Sequence, residues 1–523
     1  MKIIKIKEFI SNFQTGFIFL LFIFILKPVS FTAQSIDLKK IDKYIESARI
    51  EWEIPGMAVA IVKDGKVIFS KGYGIRNIEK KKKTNENTLF AIASNSKAFT
   101  TAALSILVDE GKLNWGDKVV DHLPWFKLYS PYVTQNITVR DLVSHRSGLY
   151  TFSGDLLWYY TNYSTEEVVK RAQYLKPYYG CREHFGYQNI MFSAAGLILE
   201  KLSGMTWEDY IKQNFLIPLG MKSSNTSVKD LDLEGNTAIP YHIEPGNKPI
   251  PVKYLGWDNC PAAAAINSSV ADMAKWMIFQ LNNGKLGDKQ VVSEKQIWEV
   301  RKMFTPTPVS KGAFENNPNI HFKGYGLGWN IFDYNGKKVI NHGGGSEGMI
   351  SKVAMIPEEN IGIVILTNSI NYLPSALAYQ FFDMYFENED KDWSKKYLGY
   401  YKSGVKQEAK RVNKLKEDKI EGTKPSFDLQ NYTGRYTDKA YGTAIIEQEN
   451  GKLILKYEPA PDVIGDLEHY HYDVFTVKLR NTPSLPVGTV QFFMNEKGEI
   501  KSMKVDIPNP DFYFDEFDFI KEK

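Results

Sequence analysis

Two β-rich stretches bracket a long helical middle, and that order restricts the architecture more than any other feature of this chain. Residues 56–74 read GMAVAIVKDGKVIFSKGYG, two strand-like runs on either side of Asp64-Gly65, a strong hairpin signal. Residues 324–369 return to the same character with YGLGWNIF, KKVINHGGG, ISKVAMIP and GIVILTN, separated by Asn335-Gly336 and by Glu358 to Asn360. Between them, the run from Ser94 to Glu110 is apolar and helical, with Gly111 as its stop, and most of 165–221 is helical too. A helix apolar on most of its surface belongs in a core. Strands at both ends with helices between predict one sheet assembled from distant segments, an α+β fold and not an alternating βα one.

After about residue 390 the composition changes. KKYLGYYKSGVKQEAKRVNKLKEDK is charged and helical in tendency, TKPS breaks it, and the chain from Phe427 is β-rich with hairpin turns at Asn450-Gly451 and near Lys497-Gly498. The expected organisation is therefore a large α+β domain over 35–390, a charged helical linker over 391–425, and a small all-β sandwich or barrel over 426–523. Residues 1–33 read as a secretory signal peptide: Lys2, Lys5 and Lys7, an unbroken apolar run from Gly16 to Leu26, then small and polar residues through Ala33 to Ser35. That run is short of the roughly 20 residues a bilayer span needs. The expectation is a periplasmic or secreted protein with no stable membrane span once the signal is removed. The net charge of +4, spread over 65 basic and 61 acidic residues, gives no reason to propose a nucleic-acid partner. The two cysteines, Cys181 and Cys260, can pair in an oxidising compartment or stand as isolated thiols.

Three short patterns carry chemistry. Ser94-Asn95-Ser96-Lys97 is S-x-x-K at the start of the apolar helix, which puts both side chains on one face near free N–H groups and the positive end of the dipole. Burial and the dipole disfavour a charged lysine, so Lys97 can take the Ser94 proton. Roughly two such matches arise by chance in a chain of this length; the other, Ser403 to Lys406, has no buried helix behind it. Tyr187-Gln188-Asn189 offers a phenol for proton transfer and an amide to hold a substrate carbonyl. His342-Gly343-Gly344 ends a strand in a glycine run, where Gly344 lets a ligand approach and the Gly345 N–H can join that of Ser94 in an oxyanion hole. Tyr160 to Asn162 and His184 to Gly186 repeat the last two patterns as decoys.

In their order, Ser94-x-x-Lys97, Tyr187-x-Asn189 and His342-x-Gly344 resemble the three-motif series of the serine β-lactamase and penicillin-binding-protein superfamily. VRDLVSHRSGL (139–149), GYQNIMFSAAGLILEKLSG (186–204), SSVADMAKWM (268–277), YGLGW (325–329) and HGGGSEG (342–348) resemble its class C-like branch, from about Ile36 to Phe386. The stretch after Phe427, with YTGRY and LEHYHYDVF, is similar to a lipocalin-like β domain that follows such catalytic domains. The resemblance implies an antiparallel sheet flanked by helices plus an all-helical region. It makes Ser94 the acylated nucleophile, Lys97 the base, Tyr187 a partner in proton transfer, and Asn189, His342, Gly344 and Gly345 the substrate and oxyanion contacts. His342 stands where penicillin-recognising members carry the lysine of K-T-G. A mostly neutral histidine suits a carboxylate less well, which favours a peptidase, amidase or esterase over a true β-lactamase.

Rival readings are weaker. Gly344 to Gly348 matches G-x-S-x-G around Ser346, but that elbow needs a helix after it, and a strand follows. His469 and His471 alternate on one strand and are too few for a closed metal site. No metal and no cofactor are implied. The partner is a small-molecule or peptide substrate, and the C-terminal domain leaves room for an oligomer. A binding protein that traps its ligand on Ser94 without turnover remains the second function class.

Overall fold

A computed structural model describes residues 36–244, 246–388 and 390–523, so the expected signal peptide over 1–33 lies outside the described residues. The distant β-rich stretches do form one sheet. Gly56–Lys63 (β1) and Lys66–Asn77 (β2) join Asn330–Tyr334 (β3), Lys337–Ser346 (β4), Met349–Ile356 (β5) and Ile361–Thr367 (β6), and β1 lies antiparallel to β6 with Ala60 opposite Val364. Among the described residues this sheet has nine strands, in the order β3-β4-β5-β6-β1-β2 at its centre, with short strands at both edges.

β1 reads as a continuous apolar run because both of its faces are covered. Ala58, Ala60 and Val62 join the large core built by Ser96–Asp109 (α1), Asn189–Ser203 (α2) and Val270–Leu281 (α3). Met57, Val59 and Ile61 are equally buried on the opposite face. Leu373–Tyr385 (α4) packs on β5 and β6. The charged segment is a helix, Trp393–Glu417 (α5), anchored at its start by Trp393 Nε1 on Asp383 Oδ2 (2.5 Å) and by Trp52 Nε1 on Ser394 Oγ (2.9 Å).

The C-terminal part is a closed, eight-stranded antiparallel barrel over 434–521. Its interior is filled. Leu455, Leu479, Phe517 and Phe519 close on a cavity of only about 40 Å³, and Leu156 and Tyr159 of the helical region complete its lining. A hydrophobic guest of any size has no room there. The two parts share one core and one polar seam: Arg171 donates to Ala440 O (2.8 Å), Tyr163 to Tyr441 O (3.0 Å) and Asn162 N–H to Pro459 O (2.7 Å).

One open choice closes and one expectation is corrected. Cys181 and Cys260 stand as isolated thiols, and Cys260 is buried with its sulfur on the Ser193 hydroxyl. His469 and His471 do not simply alternate, because a bulge in the strand falls between them and His469 Nε2 is spent on Tyr472 O (3.0 Å).

Glu516 is the strongest point of the seam: it accepts from Ser153 Oγ (2.5 Å), from Gly154 N–H (2.9 Å) and from the Tyr441 hydroxyl. Glu516→Ala strands three donors and is expected to cost roughly 2 kcal/mol. Urea unfolding checks this as a lowered midpoint, and an unchanged midpoint would show that the seam does not couple barrel and body.

Candidate active site

α1 is buried from Ser96 to Leu107, and the turn that enters it sets the geometry of Ser94. Ala93 is left-handed (φ 46°), a conformation that costs an alanine about 1–2 kcal/mol, and Ser94 and Asn95 follow in a single 3₁₀ turn. Surrounding bonds hold that strain in place. Ile92 N–H donates to Ile266 O (3.0 Å), and Ser351 Oγ on β5 donates to Ile92 O (2.6 Å). Asn95 Nδ2 donates to the same Ser351 oxygen (2.8 Å), and Ile266 N–H donates to Ser96 Oγ (3.1 Å). Gly344 belongs to this turn and not to the cavity: a Cβ there would stand 2.1 Å from Ile92 O. It lets β4 close on the turn, which corrects its expected role as a substrate contact.

Lys97 is fully buried one turn into the helix. Its Nζ meets Ser94 Oγ at 3.1 Å, Asn189 Oδ1 at 2.6 Å and Ala263 O at 3.1 Å. Burial lowers its pKa to about 7, against the opposing pull of Cys260 and Asp155. The amide and the carbonyl can only accept, so a neutral amine spends its two N–H groups on them. Its lone pair is then left facing the Ser94 hydroxyl, the arrangement a base needs.

Asn189 cannot turn its amide around. Its Nδ2 donates to Asp155 Oδ2 (2.6 Å), which forces Oδ1 toward Lys97. Asn189 therefore orients the lysine through Oδ1, and its second Nδ2 hydrogen is left free on a residue that lines the Ser94 cavity. Asp155 is itself buried, and burial pushes its carboxyl pKa up to about 8 although the Trp158 and Asn189 donors and Lys97 favour the charged form. The Trp158 indole lies near it without hydrogen-bond geometry, and Asp155 Oδ1 has no partner.

Tyr187 lies over the same centre. It lines the cavity beside Ser94, and Lys97 Nζ stands 4.7 Å from its ring centre. Burial raises its pKa far above the ordinary tyrosine value, so the phenol is neutral and can donate a proton but not abstract one. His145 (φ 57°) supports the ring at 4.2 Å, while its Nδ1 accepts the Gln188 N–H (3.0 Å). Gln188 is buried with its Nε2 on Tyr150 O (2.6 Å), so it braces the Tyr187 loop.

His342 is locked. Its Nδ1 donates to Gly343 O (2.5 Å), and its Nε2 accepts from Tyr325 OH (2.9 Å). A carbonyl can only accept, so the proton sits on Nδ1. Burial lowers its pKa to about 3, and the ring offers a substrate no charge. Ser94, Tyr187, Asn189, His342 and Gly345 line one cavity of about 670 Å³, together with barrel residues Ser484, Asn509, Asp511 and Phe512.

Residues 41–378 match the Beta-lactamase family. The chain belongs to that family. Residues 418–521 match a second family, described as a domain of unknown function (DUF3471). Among curated Beta-lactamase relatives, the unguisins hydrolase ungD' of Aspergillus campestris is 31% identical over 416 residues, covering 75% of this chain and 74% of that protein. Protein flp of Staphylococcus aureus is 31% identical over 347 residues, covering 65% of each. The octameric penicillin-binding protein homologue from Pyrococcus abyssi aligns with a TM-score of 0.61 over 93% of this chain and 100% of that one; at 22% identity it supports the fold alone.

The decoy patterns do not build this centre. Ser403 and Lys406 are exposed on α5, while Asn162 and His184 are exposed on loops. Ser346 lines the Ser94 cavity but ends β4 in a hairpin to β5, with no helix after it. Sequence reasoning missed Asp155, His145 and Asp511. His145 lies within the quoted SHRSGL block and Asp155 a few residues after it, where DLLWYY carries a lone acid before an apolar run; nothing in the sequence ties Asp511 to Ser94.

Lysine-labelled protein observed by NMR should show two side chains titrating well below the ordinary lysine range, Lys97 near 7 and half-buried Lys352 near 8, and the first is absent in Lys97→Met. Asp155→Asn removes a group that raises the Lys97 pKa and should move that titration lower. A titration above about 9 for the signal that Lys97→Met removes would contradict the buried geometry.

Proposed function

We propose that this chain is an exported serine hydrolase that cleaves amide or ester bonds through an acyl-enzyme on Ser94, as a peptidase, amidase or esterase. The observation that carries the reading is the position of Lys97: buried, with its pKa lowered to about 7, and with Ser94 Oγ at 3.1 Å as the one partner that can give it a proton.

The steps follow from the donor and acceptor pattern. Neutral Lys97 takes the Ser94 proton as Oγ attacks the substrate carbonyl, and the developing oxyanion sits between the N–H groups of Ser94 and Gly345. Tyr187, a neutral phenol on the wall of the same cavity, passes a proton to the departing group and recovers one from Lys97. Water then attacks the acyl carbonyl by the reverse route, and Ser94 is regenerated. Asn189 and Asp155 act through Lys97 as positioning residues.

The neutral His342 argues against a β-lactam substrate, because it supplies no cation for the substrate carboxylate. The name of the Aspergillus relative supports a hydrolase in general terms. Export rests on the basic start and the apolar run from Gly16 to Leu26.

The test is hydrolysis of p-nitrophenyl acetate and butyrate, D-alanine p-nitroanilide and nitrocefin. Ser94→Ala and Lys97→Ala are each expected to lower kcat/KM by at least about 10³-fold with the fold intact. Turnover surviving in Ser94→Ala would sink the scheme, and a lasting adduct without turnover would favour the ligand-trapping alternative. The base works when neutral, so kcat/KM should rise with pH through about 7 and level off above it. A profile flat from pH 5 to 9 would remove Lys97 as the base.

A further inference from the structure

The helix α5 carries charge that the rest of the fold leaves unanswered. Over Trp393–Glu417 it has eight basic residues against two acidic ones, whereas the whole chain nets only +4. Lys402, Lys406 and Lys410 follow one another at intervals of four, and Lys395 and Lys416 stand one heptad before and two heptads after Lys402. These spacings put all five on one face of the helix. All five are exposed, and among the described residues none of their side chains forms an ion pair. The one ion pair within α5 is that of Arg411 with Glu408 (2.8 Å).

Like charges four residues apart repel along a helix. Another surface helix of this chain, Thr165–Arg171, avoids that cost: Lys170 pairs with Glu166 and Arg171 with Glu167, each across four residues (2.5 and 2.8 Å). The opposite face of α5 is already used by the fold. Leu398 is buried there, and Tyr401, Val405, Val412 and Leu415 are half-buried. Arg411 donates to Val487 O of the barrel (2.9 Å), and Tyr470 donates to Leu415 O (2.5 Å). With Trp393 fixed at the other end, α5 is clamped at both ends. Its lysines therefore stand in a preformed row roughly 30 Å long, at 1.5 Å per residue.

We propose that this face docks the protein on a membrane surface rich in anionic lipid. A basic helix whose apolar side is taken up by its own fold has only charge to offer, and a layer of anionic headgroups supplies the opposite charge over the same length. The row is built from lysines, compact and strongly hydrated charges, and not from the arginine forks that grip single phosphates in nucleic acid. Contact is therefore peripheral: it inserts nothing into the lipid, and it weakens as salt screens the charges. The inference is independent of the Ser94 chemistry.

Sedimentation with vesicles tests this, using phosphatidylcholine alone or mixed in equal parts with phosphatidylglycerol. The full chain is expected to bind the mixed vesicles at least about tenfold more tightly than the neutral ones at low salt, and to be released by high salt. The variant K395Q/K402Q/K406Q/K410Q/K416Q should lose that preference, while the same five lysines changed to arginine should keep it. Both variants should retain the circular dichroism of the parent, since all five side chains are exposed. Parent and variants share every other segment, so the difference between them reports the lysine row alone. Equal binding of the parent to both vesicle types, binding that high salt does not release, or a preference that survives in the glutamine variant would overturn the assignment. Tighter binding to a DNA duplex than to the mixed vesicles, at equal phosphate, would overturn the lipid partner.

Discussion

A lysine with no access to solvent sits at the foot of the helix that carries Ser94, and the surrounding architecture answers to that fact. Burying an ammonium is among the most expensive things a fold can do, and the usual escape is to shed the proton. Here the escape is also the chemistry. Asn189 at the start of α2 and Ala263 from the segment before α3 supply acceptors that use up the amine hydrogens, so its remaining lone pair faces the serine. Three stretches far apart in sequence must therefore meet at one nitrogen, and the all-helical region is the means of bringing them together. The sheet contributes from the other side, through Ser351 on β5 and the close approach of Gly344 on β4 to the strained turn at Ala93.

Around this centre, charge is managed by exclusion. Tyr187, His342 and His145 are all pushed toward their neutral forms by burial, and the carboxylates stand on the wall shared with the barrel. A reaction that develops negative charge on a carbonyl oxygen gains from neutral donors nearby. The barrel therefore belongs to the site. Its own interior is filled, partly by Leu156 and Tyr159, and its contribution is surface: Ser484, Asn509, Asp511 and Phe512.

Much of this was legible in the sequence because the signals are local. Hairpin turns, strand periodicity and the apolar helix after Ser94 are written within windows of about twenty residues, and the sheet built from both ends follows from their order. The motif order placed Ser94, Lys97 and Tyr187 in one centre for the same reason. What escaped depends on direction and distance. Whether Gly344 faces the ligand or the Ile92 carbonyl is decided by strand register; that the Asn189 oxygen meets the lysine is decided by which side of its amide meets Asp155. The locked tautomer of His342 required its two neighbours to be known. Asp511 reaches the cavity by a fold-level contact that no spacing encodes.

The stretch from Ser153 to Tyr159 faces two ways, with Asp155 toward the lysine relay and Leu156 and Tyr159 against the barrel lining. This sets an order of events for a chain made from its amino end. Ser94, Lys97 and Asn189 are synthesised early, whereas the residues that close the far wall of their cavity are synthesised late, and domains tend to fold in that sequence. Until the barrel has folded against it, the centre is a groove open to water on one side. A nascent chain therefore carries Ser94 in an unfinished site.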